Sequence, residues 1–330
     1  NMCRNTCSYC TFVKDPNSEE ANILTKDQVI GIIQEGQNKG CKEVLFSLGE
    51  KPERRYPIAK SALKKIGFDT MVDYLKEVCQ LTLQKSNLIP HVNAGTLSLE
   101  DIKKLKPVTA SMGMMLETTS KRLTRKGQPH YACPDKVPIQ RIRTLERAGT
   151  MKVPFTTGLL IGIGETLSER IEALKTINVI YKKYGHIQEV IIQNFQRKPD
   201  IAMAHHPEPD LEDMLRTIAV ARIILDPEIS LQAPPNLHRR HISYLKAGIN
   251  DWGGISPVTI DFINPQHEWP EILKLNESCS SVGFKLLERL TVYPRFINKR
   301  SEYLDPGLRE RILSMVGHDG FANEQVLEAI

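Results

Sequence analysis

Three cysteines stand close together at the start of the sequence, with three and then two residues between them. They are Cys3, Cys7 and Cys10, and the next cysteine is Cys41. Thiolates at this spacing can bind one metal ion or an iron-sulfur cluster without ligands from a distant part of the chain. A structural zinc site uses four ligands, and residues 11–40 contain neither Cys nor His. If the three thiolates hold a 4Fe-4S cluster, one iron has no protein ligand and is free to bind a small molecule.

Three other interpretations of these cysteines stay open: a zinc site completed by a remote residue, disulfides, and thiols that are merely buried. The sequence has seven cysteines, and the remaining four are scattered singly, as Cys41, Cys79, Cys133 and Cys279. An odd number of cysteines without a secretory segment disfavours a disulfide framework. Reduced, scattered thiols are typical of a cytoplasmic protein.

The bulk composition is typical of a soluble globular protein of the size of an enzyme. The 330 residues are enough for one large α/β barrel or two ordinary domains, and 41% of them are hydrophobic. Lys and Arg number 44 against 39 Asp and Glu, and the net charge of +5 is not gathered into basic runs. We therefore expect no nucleic-acid partner. Since no apolar run reaches the roughly 18 to 20 residues of a membrane helix, we expect no membrane partner.

Beyond residue 25 the sequence alternates between amphipathic helices and short apolar strands. We predict strands at 43–47, 89–93, 108–116, 152–161, 187–194, 229–232 and 254–257. We predict helices at 25–40, 69–84, 134–148, 168–184, 208–225, 237–247, 270–282 and 307–316, and a short one capped by 98–101. This alternation favours a parallel sheet covered by helices. With an eighth strand expected before Cys3, missing or truncated in this chain, it predicts an α/β fold of the (β/α)8 TIM-barrel type. We expect a single domain over residues 1–330 with a C-terminal helical extension.

Polar residues follow several predicted strands, where a barrel of this type carries its chemistry. Gly49 and Glu50 follow the first strand, Asn93 ends the second, and Glu117 ends the third. Glu50 suits an ammonium group, and Asn93 and Glu117 suit the hydroxyls of a ribose. Each of these side chains could equally belong to an ordinary loop.

Glycines interrupt the fourth predicted strand, in Gly158-Leu-Leu-Ile-Gly162-Ile-Gly-Glu165. Glycine in a buried strand indicates the close approach of another group. Glu165 is placed to support the turn that follows the strand.

The cysteine motif, with Tyr9 before its last cysteine and Phe12 after it, resembles the cluster motif of the radical S-adenosylmethionine (SAM) enzymes. The resemblance implies that the open iron of a 4Fe-4S cluster binds the amino and carboxylate groups of SAM. One electron from the cluster then splits SAM into methionine and a 5'-deoxyadenosyl radical. The backbone of Tyr9 is expected to lie against the adenine.

Further segments resemble the SAM-binding motifs of the same family. Gly49 and Glu50 resemble the end of its Gly-Gly-Glu motif, which binds the methionyl amine, although Leu48 replaces the first glycine. By position, Asn93 and Glu117 resemble its ribose-binding residues. The segment 158–165 resembles its Gly-x-Ile-x-Gly-x-x-Glu motif, which implies adenine contacts for Gly158, Gly162 and Glu165. Whether Arg125 or Lys136 binds the SAM carboxylate stays open.

The second half of the sequence resembles one subgroup, the enzymes that close the ring of 7,8-didemethyl-8-hydroxy-5-deazariboflavin. The segments that carry this resemblance are 156–158, 193–195, 232–236, 248–257 and 261–265. It implies a lyase that converts 5-amino-5-(4-hydroxybenzyl)-6-(D-ribitylimino)-5,6-dihydrouracil to the deazaflavin with loss of ammonia. Gln193, Asn194 and Asp251 are the implied substrate-binding residues, each of which could instead have a purely structural role.

The same resemblance implies two protein partners. One is the subunit or domain that makes the adduct, and the other is an electron donor such as ferredoxin or flavodoxin. Two alternatives remain at this point: another barrel-type radical SAM enzyme, of the tyrosine lyase, biotin synthase or menaquinone-pathway type, and a non-catalytic iron-sulfur protein.

Overall fold

The structure is a computed structural model of the chain, and it describes residues 1–323. Six parallel strands in this range form one sheet in the order β1-β2-β3-β4-β5-β6, each strand beside its neighbour in sequence. The strands are β1 Glu43–Ser47, β2 Ile89–Asn93, β3 Ser111–Gly113, β4 Phe155–Ile161, β5 Ile187–Asn194 and β6 Ser230–Gln232. Sequential parallel order is the arrangement of a TIM-barrel-type sheet, and the predicted α/β class is confirmed.

Helices connect the strands and cover the outer face of the sheet. The α1 helix, Lys26–Asn38, precedes β1, and those between the strands are α2 Pro57–Lys65, α3 Met71–Lys85, α4 Leu99–Leu105, α5 Pro138–Thr150, α6 Leu167–Tyr184 and α7 Leu211–Ile224. Those after β6 are α8 Ser243–Ala247, α9 Ile272–Ser281, α10 Pro294–Asn298 and α11 Pro306–Ser314.

Capping residues fix where several of these helices begin. Thr25, Ser98 and Thr166 each accept a hydrogen bond from the third helical residue, whose own side chain bonds back to the cap. Such capping boxes satisfy amide groups that the first turn leaves without partners. The α6 helix ends at Gly185, whose φ of 66° is a left-handed conformation that glycine adopts without strain.

The register of the sheet brings the carboxyl ends of the strands to one edge. Ser47 pairs with Asn93 across β1 and β2, and Leu160 pairs with Gln193 across β4 and β5. Every residue of β4 is buried, which explains why its sequence is apolar without alternation. The residues that follow the strands therefore meet around one rim.

A C-terminal segment covers the opposite edge of the sheet. Val292 and Phe296 belong to an apolar cluster with Ile89 and Ala110, near the amino ends of β2 and β3. The Thr291 carbonyl accepts hydrogen bonds from the Ser111 hydroxyl, at 3.0 Å, and from the Gln188 amide, at 2.9 Å. This packing agrees with a single domain with a helical extension, which stays a prediction.

The structure corrects several sequence-based bounds. The strand predicted at 254–257 is wrong: the chain makes only an isolated bridge between Asp251 and Gln232. The Asp251 carboxylate accepts a hydrogen bond from the Gly253 amide, and Gly253 has a φ of 76°, so the backbone turns away from the sheet there. The strand predicted at 108–116 shrinks to Ser111–Gly113, and α2 and α10 were not predicted. No helix within residues 1–323 is long and apolar enough to cross a membrane.

Candidate cluster and cofactor site

The three clustered cysteines lie on a loop at the carboxyl rim, formed by residues 1–10. The Arg4 amide donates to the Glu50 carbonyl at 2.9 Å, and the Ser8 amide donates to the Pro129 carbonyl at 3.0 Å. The loop is therefore held between the segment after β1 and the segment that follows β3. We call residues 1–10 the cysteine loop.

The thiols of the cysteine loop are free, and amide donors surround the sulfur of Cys3. Cys3 is buried, and its sulfur accepts hydrogen bonds from the backbone amides of Glu50, at 3.1 Å, and Asn5, at 3.4 Å. Burial raises the pKa of Cys3, and these two amides act against that rise. N–H donors aimed at sulfur stabilise a thiolate, which is the form that binds iron.

The three thiols of the cysteine loop are not grouped as a single-ion site. Within residues 1–323, no three His, Cys, Asp or Glu side chains are grouped so that they could hold one metal ion. In an iron-sulfur cluster each cysteine binds a different iron, so its ligands need not converge on one point. The donor set of Cys3, Cys7 and Cys10 therefore fits a cluster.

A fourth cysteine, which the sequence analysis did not single out, lies beside the loop. The Cys7 thiol hydrogen-bonds to Cys133, and this contact followed by burial raises the pKa of Cys7 well above its usual value. The Thr6 amide also donates to the Cys133 sulfur, at 3.3 Å. Cys133 is 126 residues away from Cys7 in sequence, so no local spacing reveals the pair.

Gly49 and Glu50 join the cysteine loop to the sheet. A Cβ atom at position 49 would lie 1.8 Å from the carbonyl oxygen of Met2, so only glycine lets the loop pack here. The Glu50 carboxylate is buried and accepts two hydrogen bonds of 2.5 Å from the amide and the hydroxyl of Thr96. The Asn5 amide group also donates to it, at 3.2 Å.

A second buried carboxylate, Asp135, completes this polar layer beneath the loop. Its oxygens accept from the Arg4 guanidinium at 2.5 and 2.7 Å, and the Thr96 hydroxyl oxygen, whose proton Glu50 accepts, lies 3.0 Å from it. Burial by itself raises the pKa of Asp135, but Arg4 and Lys51 outweigh it and hold the pKa below its usual value. Arg141 lies 3.7 Å from Glu50, so cations balance both acids.

Glu117 is the centre of a second charged group on the other side of the loop. Its carboxylate pairs with Lys136 and accepts a 2.5 Å hydrogen bond from the Tyr9 hydroxyl. His130, which is buried, lies 3.1 Å from the same carboxylate. Glu117 has a φ of 64°, and its amide donates to the Gly158 carbonyl at 2.8 Å, which fixes the carboxylate in this position.

The ion pair sets the protonation of this group. Burial alone raises the pKa of Glu117, yet Lys136 and His130 reverse the effect, and the pKa lies well below its usual value. Burial alone lowers the pKa of Lys136, and Glu117 raises it above its usual value. Both residues are therefore charged at neutral pH. Arg125, the alternative cation, lies exposed on the surface.

Asn93 and the glycine segment of β4 also reach the rim. The Asn93 side chain is half-buried and has no hydrogen-bond partner among residues 1–323. A Cβ at Gly158 would lie 2.2 Å from the Ile191 carbonyl oxygen, so the close approach predicted there comes from β5 itself. The Glu165 carboxylate accepts from the amides of Gly162, at 2.8 Å, and Ile163, at 2.9 Å, and so supports the turn.

The candidate substrate residues fall into two different settings. Strand alternation puts Gln193 on the same face as Glu189 and Asn194 on the same face as Ile192, which packs in the main apolar core. Neither amide makes a hydrogen bond within residues 1–323, and the Asn194 oxygen is fully buried. Asp251 instead forms a two-bond ion pair with Arg289, at 2.6 and 2.8 Å.

Sequence comparisons identify the family of the chain. The Radical SAM superfamily profile matches residues 1–177. The chain is 44% identical over 322 residues to the 7,8-didemethyl-8-hydroxy-5-deazariboflavin synthase of Methanopyrus kandleri, covering 97% of this chain and 96% of that protein. It is 46% identical over 320 residues to the FO synthase of Streptomyces avermitilis, covering 95% of this chain. The chain spans 37% of that longer relative.

Solved structures confirm the fold. The FeFe-hydrogenase maturase HydG of Carboxydothermus hydrogenoformans matches 94% of this chain and 73% of its own length, with 19% identity and a TM-score of 0.68. Methylornithine synthase matches 86% of this chain and 79% of its own length, with 16% identity and a TM-score of 0.65.

The matches confirm the 4Fe-4S cluster and SAM as cofactors and confirm that the protein is an enzyme. They do not test the individual site residues, which stay predictions. The chain belongs to the radical SAM superfamily and, within it, to the family of the 7,8-didemethyl-8-hydroxy-5-deazariboflavin synthases.

Proposed function

We propose that this protein closes the ring of 7,8-didemethyl-8-hydroxy-5-deazariboflavin. The substrate is 5-amino-5-(4-hydroxybenzyl)-6-(D-ribitylimino)-5,6-dihydrouracil, and ammonia is lost as the ring forms. The observation that carries the proposal is the cysteine loop held over two buried charged groups, in a chain 44% identical to a synthase of this name along nearly its whole length.

Cys3, Cys7 and Cys10 are the residues that would hold the cluster. When bound, the cluster supplies the electron that splits SAM and so provides the radical that takes a hydrogen from the substrate. The protein's own task is to position SAM and substrate and to exclude water from the reacting atoms. Gly49 and the buried polar layer of Glu50 and Asp135 hold the loop in place for this task.

The first half of the rim is the proposed SAM site. Glu50 accepts hydrogen bonds from the methionyl amine, and Asn93 and Glu117 bond the ribose hydroxyls. The backbone of Tyr9 and the segment from Gly158 and Gly162 to Glu165 border the adenine. Lys136 is the better candidate for the SAM carboxylate than Arg125, because Lys136 is mostly buried beside the loop.

The second half of the rim is the proposed substrate site. Gln193 faces the barrel interior with an amide that has no protein partner in the described residues, so it is free to bond the uracil edge or the ribityl chain. Asn194 has an unpartnered oxygen on the other face of β5, toward the apolar core, so in this proposal Gln193 and not Asn194 contacts the substrate. Asp251 contributes to the substrate site through its ion pair with Arg289, which holds the segment after β6 in place beside the substrate.

The reaction also implies partners and a location. A second subunit or domain makes the adduct from tyrosine and a ribitylaminouracil, and the longer relatives have room for such a domain. An electron donor such as ferredoxin or flavodoxin reduces the cluster. Free thiols at all seven cysteines support a cytoplasmic location, and one domain carries the whole site.

An anaerobic assay tests this function. The protein is reconstituted with iron and sulfide, reduced, and supplied with SAM and the adduct, and 5'-deoxyadenosine, ammonia and the fluorescent deazaflavin are quantified together. We expect all three to rise in step. Formation of 5'-deoxyadenosine alone would reject this substrate, and formation of none by protein that carries a reducible cluster would reject the enzyme function.

A further inference from the structure

The electron that the reaction consumes must reach the cysteine loop directly. Residues 1–323 contain no second set of clustered thiols that could hold a relay centre, since Cys41, Cys79 and Cys279 are single. A protein donor therefore has to dock beside the loop itself. The surface next to the loop determines which kind of donor fits.

One side of the cysteine loop is open to solvent. Thr6 and Ser8 line a cavity of about 690 Å³ together with the segment 127–132 and the loop around Met203. Thr6 is exposed, whereas Asn5 and Cys3 on the other side of the loop are buried against Glu50. A docked protein can approach the loop from this cavity.

The segment beside this cavity is strongly basic. Residues 118–134 contain four cations, Lys121, Arg122, Arg125 and Lys126, and no acid. Arg122 is neutralised by Glu169, at 2.8 Å. Lys121, Arg125 and Lys126 are exposed and form no ion pair within residues 1–323.

Acidic residues near the cavity do not cancel this charge. Glu208 follows the lining residue His206, and it is already bonded by the Arg197 amide at 2.6 Å, with the Arg197 guanidinium at 3.8 Å. Asp200, which precedes the lining residue Ala202, is exposed and leaves an excess of positive charge. The backbone of this basic segment is held against the cysteine loop by the hydrogen bond from the Ser8 amide to the Pro129 carbonyl, and Pro129 is three residues after Lys126.

We propose that Lys121, Arg125 and Lys126 form the docking surface for an acidic one-electron carrier protein. In this step one electron leaves the carrier and one enters the cluster, and no bond is made or broken. Complementary charge steers a protein partner to a patch and accelerates its association. The proposal rests on the proposed function and adds where and by what chemistry the donor binds.

A charge-reversal experiment on the reconstituted enzyme tests this surface, with flavodoxin as the acidic probe. The test variant is K121E/R125E/K126E. The matched control is K182E/K183E/K299E, which changes the charge equally with exposed residues. Lys182 and Lys183 lie where α6 ends, at the opposite edge of the sheet. The dissociation constant for flavodoxin is measured at low and high salt, and SAM cleavage is measured with flavodoxin and with dithionite.

We expect the test variant to bind flavodoxin about tenfold or more weakly at low salt and to lose most of the salt dependence. Its dithionite-driven cleavage should match that of the wild type, and the control should behave as wild type throughout. The proposal would be overturned if flavodoxin binding weakened equally in both variants or in neither. It would also be overturned if the test variant lost as much SAM cleavage with dithionite as with flavodoxin. If dithionite supports no cleavage by wild-type protein while only the test variant loses flavodoxin binding, the proposed function fails and the docking surface stands.

Discussion

The two halves of the rim treat their polar groups in opposite ways. Around β1 to β4 the groups are charged and bonded to one another: Glu117 with Lys136, and Asp135 with Arg4. After β5 and β6, apart from the ion pair of Asp251 with Arg289, they are neutral amides whose oxygens are buried without partners, as in Asn194, Gln232 and Asn236. The charged groups of the first half are paired with one another, whereas these amide oxygens of the second half are not paired.

This difference indicates that the charged half is organised before a ligand binds, whereas the amide half keeps acceptors for a ligand. A buried charge is tolerated only when a counter-charge and hydrogen bonds compensate it, so the first half must be complete before any ligand arrives. A buried amide left without a partner costs about 1 to 3 kcal/mol. The NH2 group of Gln232 donates a hydrogen bond to the Trp252 carbonyl, and that of Asn236 donates to the Asp261 carboxylate. These bonds fix the orientation of both amides and leave their oxygens without partners. Those oxygens are available to a ligand.

The largest effect is expected from removing a cluster ligand. Cys7→Ala should abolish cluster binding and reduce SAM cleavage to an undetectable level, because the cluster loses one of its three thiolate ligands. Iron content and 5'-deoxyadenosine formation check this. Cys41→Ser, which changes a half-buried thiol far from the loop in sequence, is the control and should keep both. A Cys7→Ala protein that cleaves SAM at the wild-type rate would contradict the account.

Breaking the Glu117 to Lys136 pair should destabilise the protein strongly. Lys136→Met leaves a buried carboxylate without its counter-charge, at a cost of about 3 to 5 kcal/mol in unfolding free energy. The double variant K136M/E117Q should recover much of this loss, because neither charge is then present. Equal stability of the single and double variants, measured by chemical denaturation, would show that the pair is not coupled.

The same pair predicts a pH dependence. The pKa of Glu117 is depressed in the folded protein. The contribution of Glu117 to the unfolding free energy is therefore present above the ordinary pKa of 4.5, and it is lost as the pH falls through the folded pKa. The unfolding free energy of the wild type should therefore fall in acid more steeply than that of K136M/E117Q. Parallel curves for the two proteins would argue against the assigned charges.

A moderate effect is expected where the cysteine loop packs on the sheet. Gly49→Ala puts a Cβ against the Met2 carbonyl and should cost about 1 to 3 kcal/mol and reduce iron retention. Gly31→Ala is the matched control, because nothing lies within 4 Å of its Cβ and alanine favours a helix. If both variants retain iron and stability equally, the loop does not depend on this contact.

The smallest effect is expected in the amide half. Gln193→Leu should raise the substrate KM about fivefold to tenfold, equivalent to roughly one hydrogen bond. Asn194→Leu should leave KM near the wild-type value and should not destabilise the protein, since it removes an unpaired buried amide. The reverse ranking of the two KM values would assign the substrate contact to Asn194.

The sequence predicts the parts of this protein that depend on local patterns. The strands at 43–47, 89–93 and 187–194 match the structure residue for residue. The strand predicted at 254–257 fails because the Asp251 carboxylate and Gly253 turn the chain. The spacing of Cys3, Cys7 and Cys10 is also enough to mark them in the sequence as candidate cluster ligands.

The charged networks were not predictable in the same way. Glu117 and Lys136 are 19 residues apart, and Arg4 and Asp135 are 131 residues apart. His130 and Cys133 join the site only because the segment after β3 folds back over the cysteine loop. A signal was present in the sequence, since residues 130–136 hold five side chains able to donate, accept or bind metal. Their partners depend on the tertiary fold.

The central claim is that three thiolates leave one iron open for SAM. Mössbauer spectroscopy of the ⁵⁷Fe-reconstituted protein, with and without SAM, tests it most directly. We predict that SAM changes the signal of one iron in four and leaves the other three unchanged. Four equivalent irons that do not respond to SAM would contradict the account.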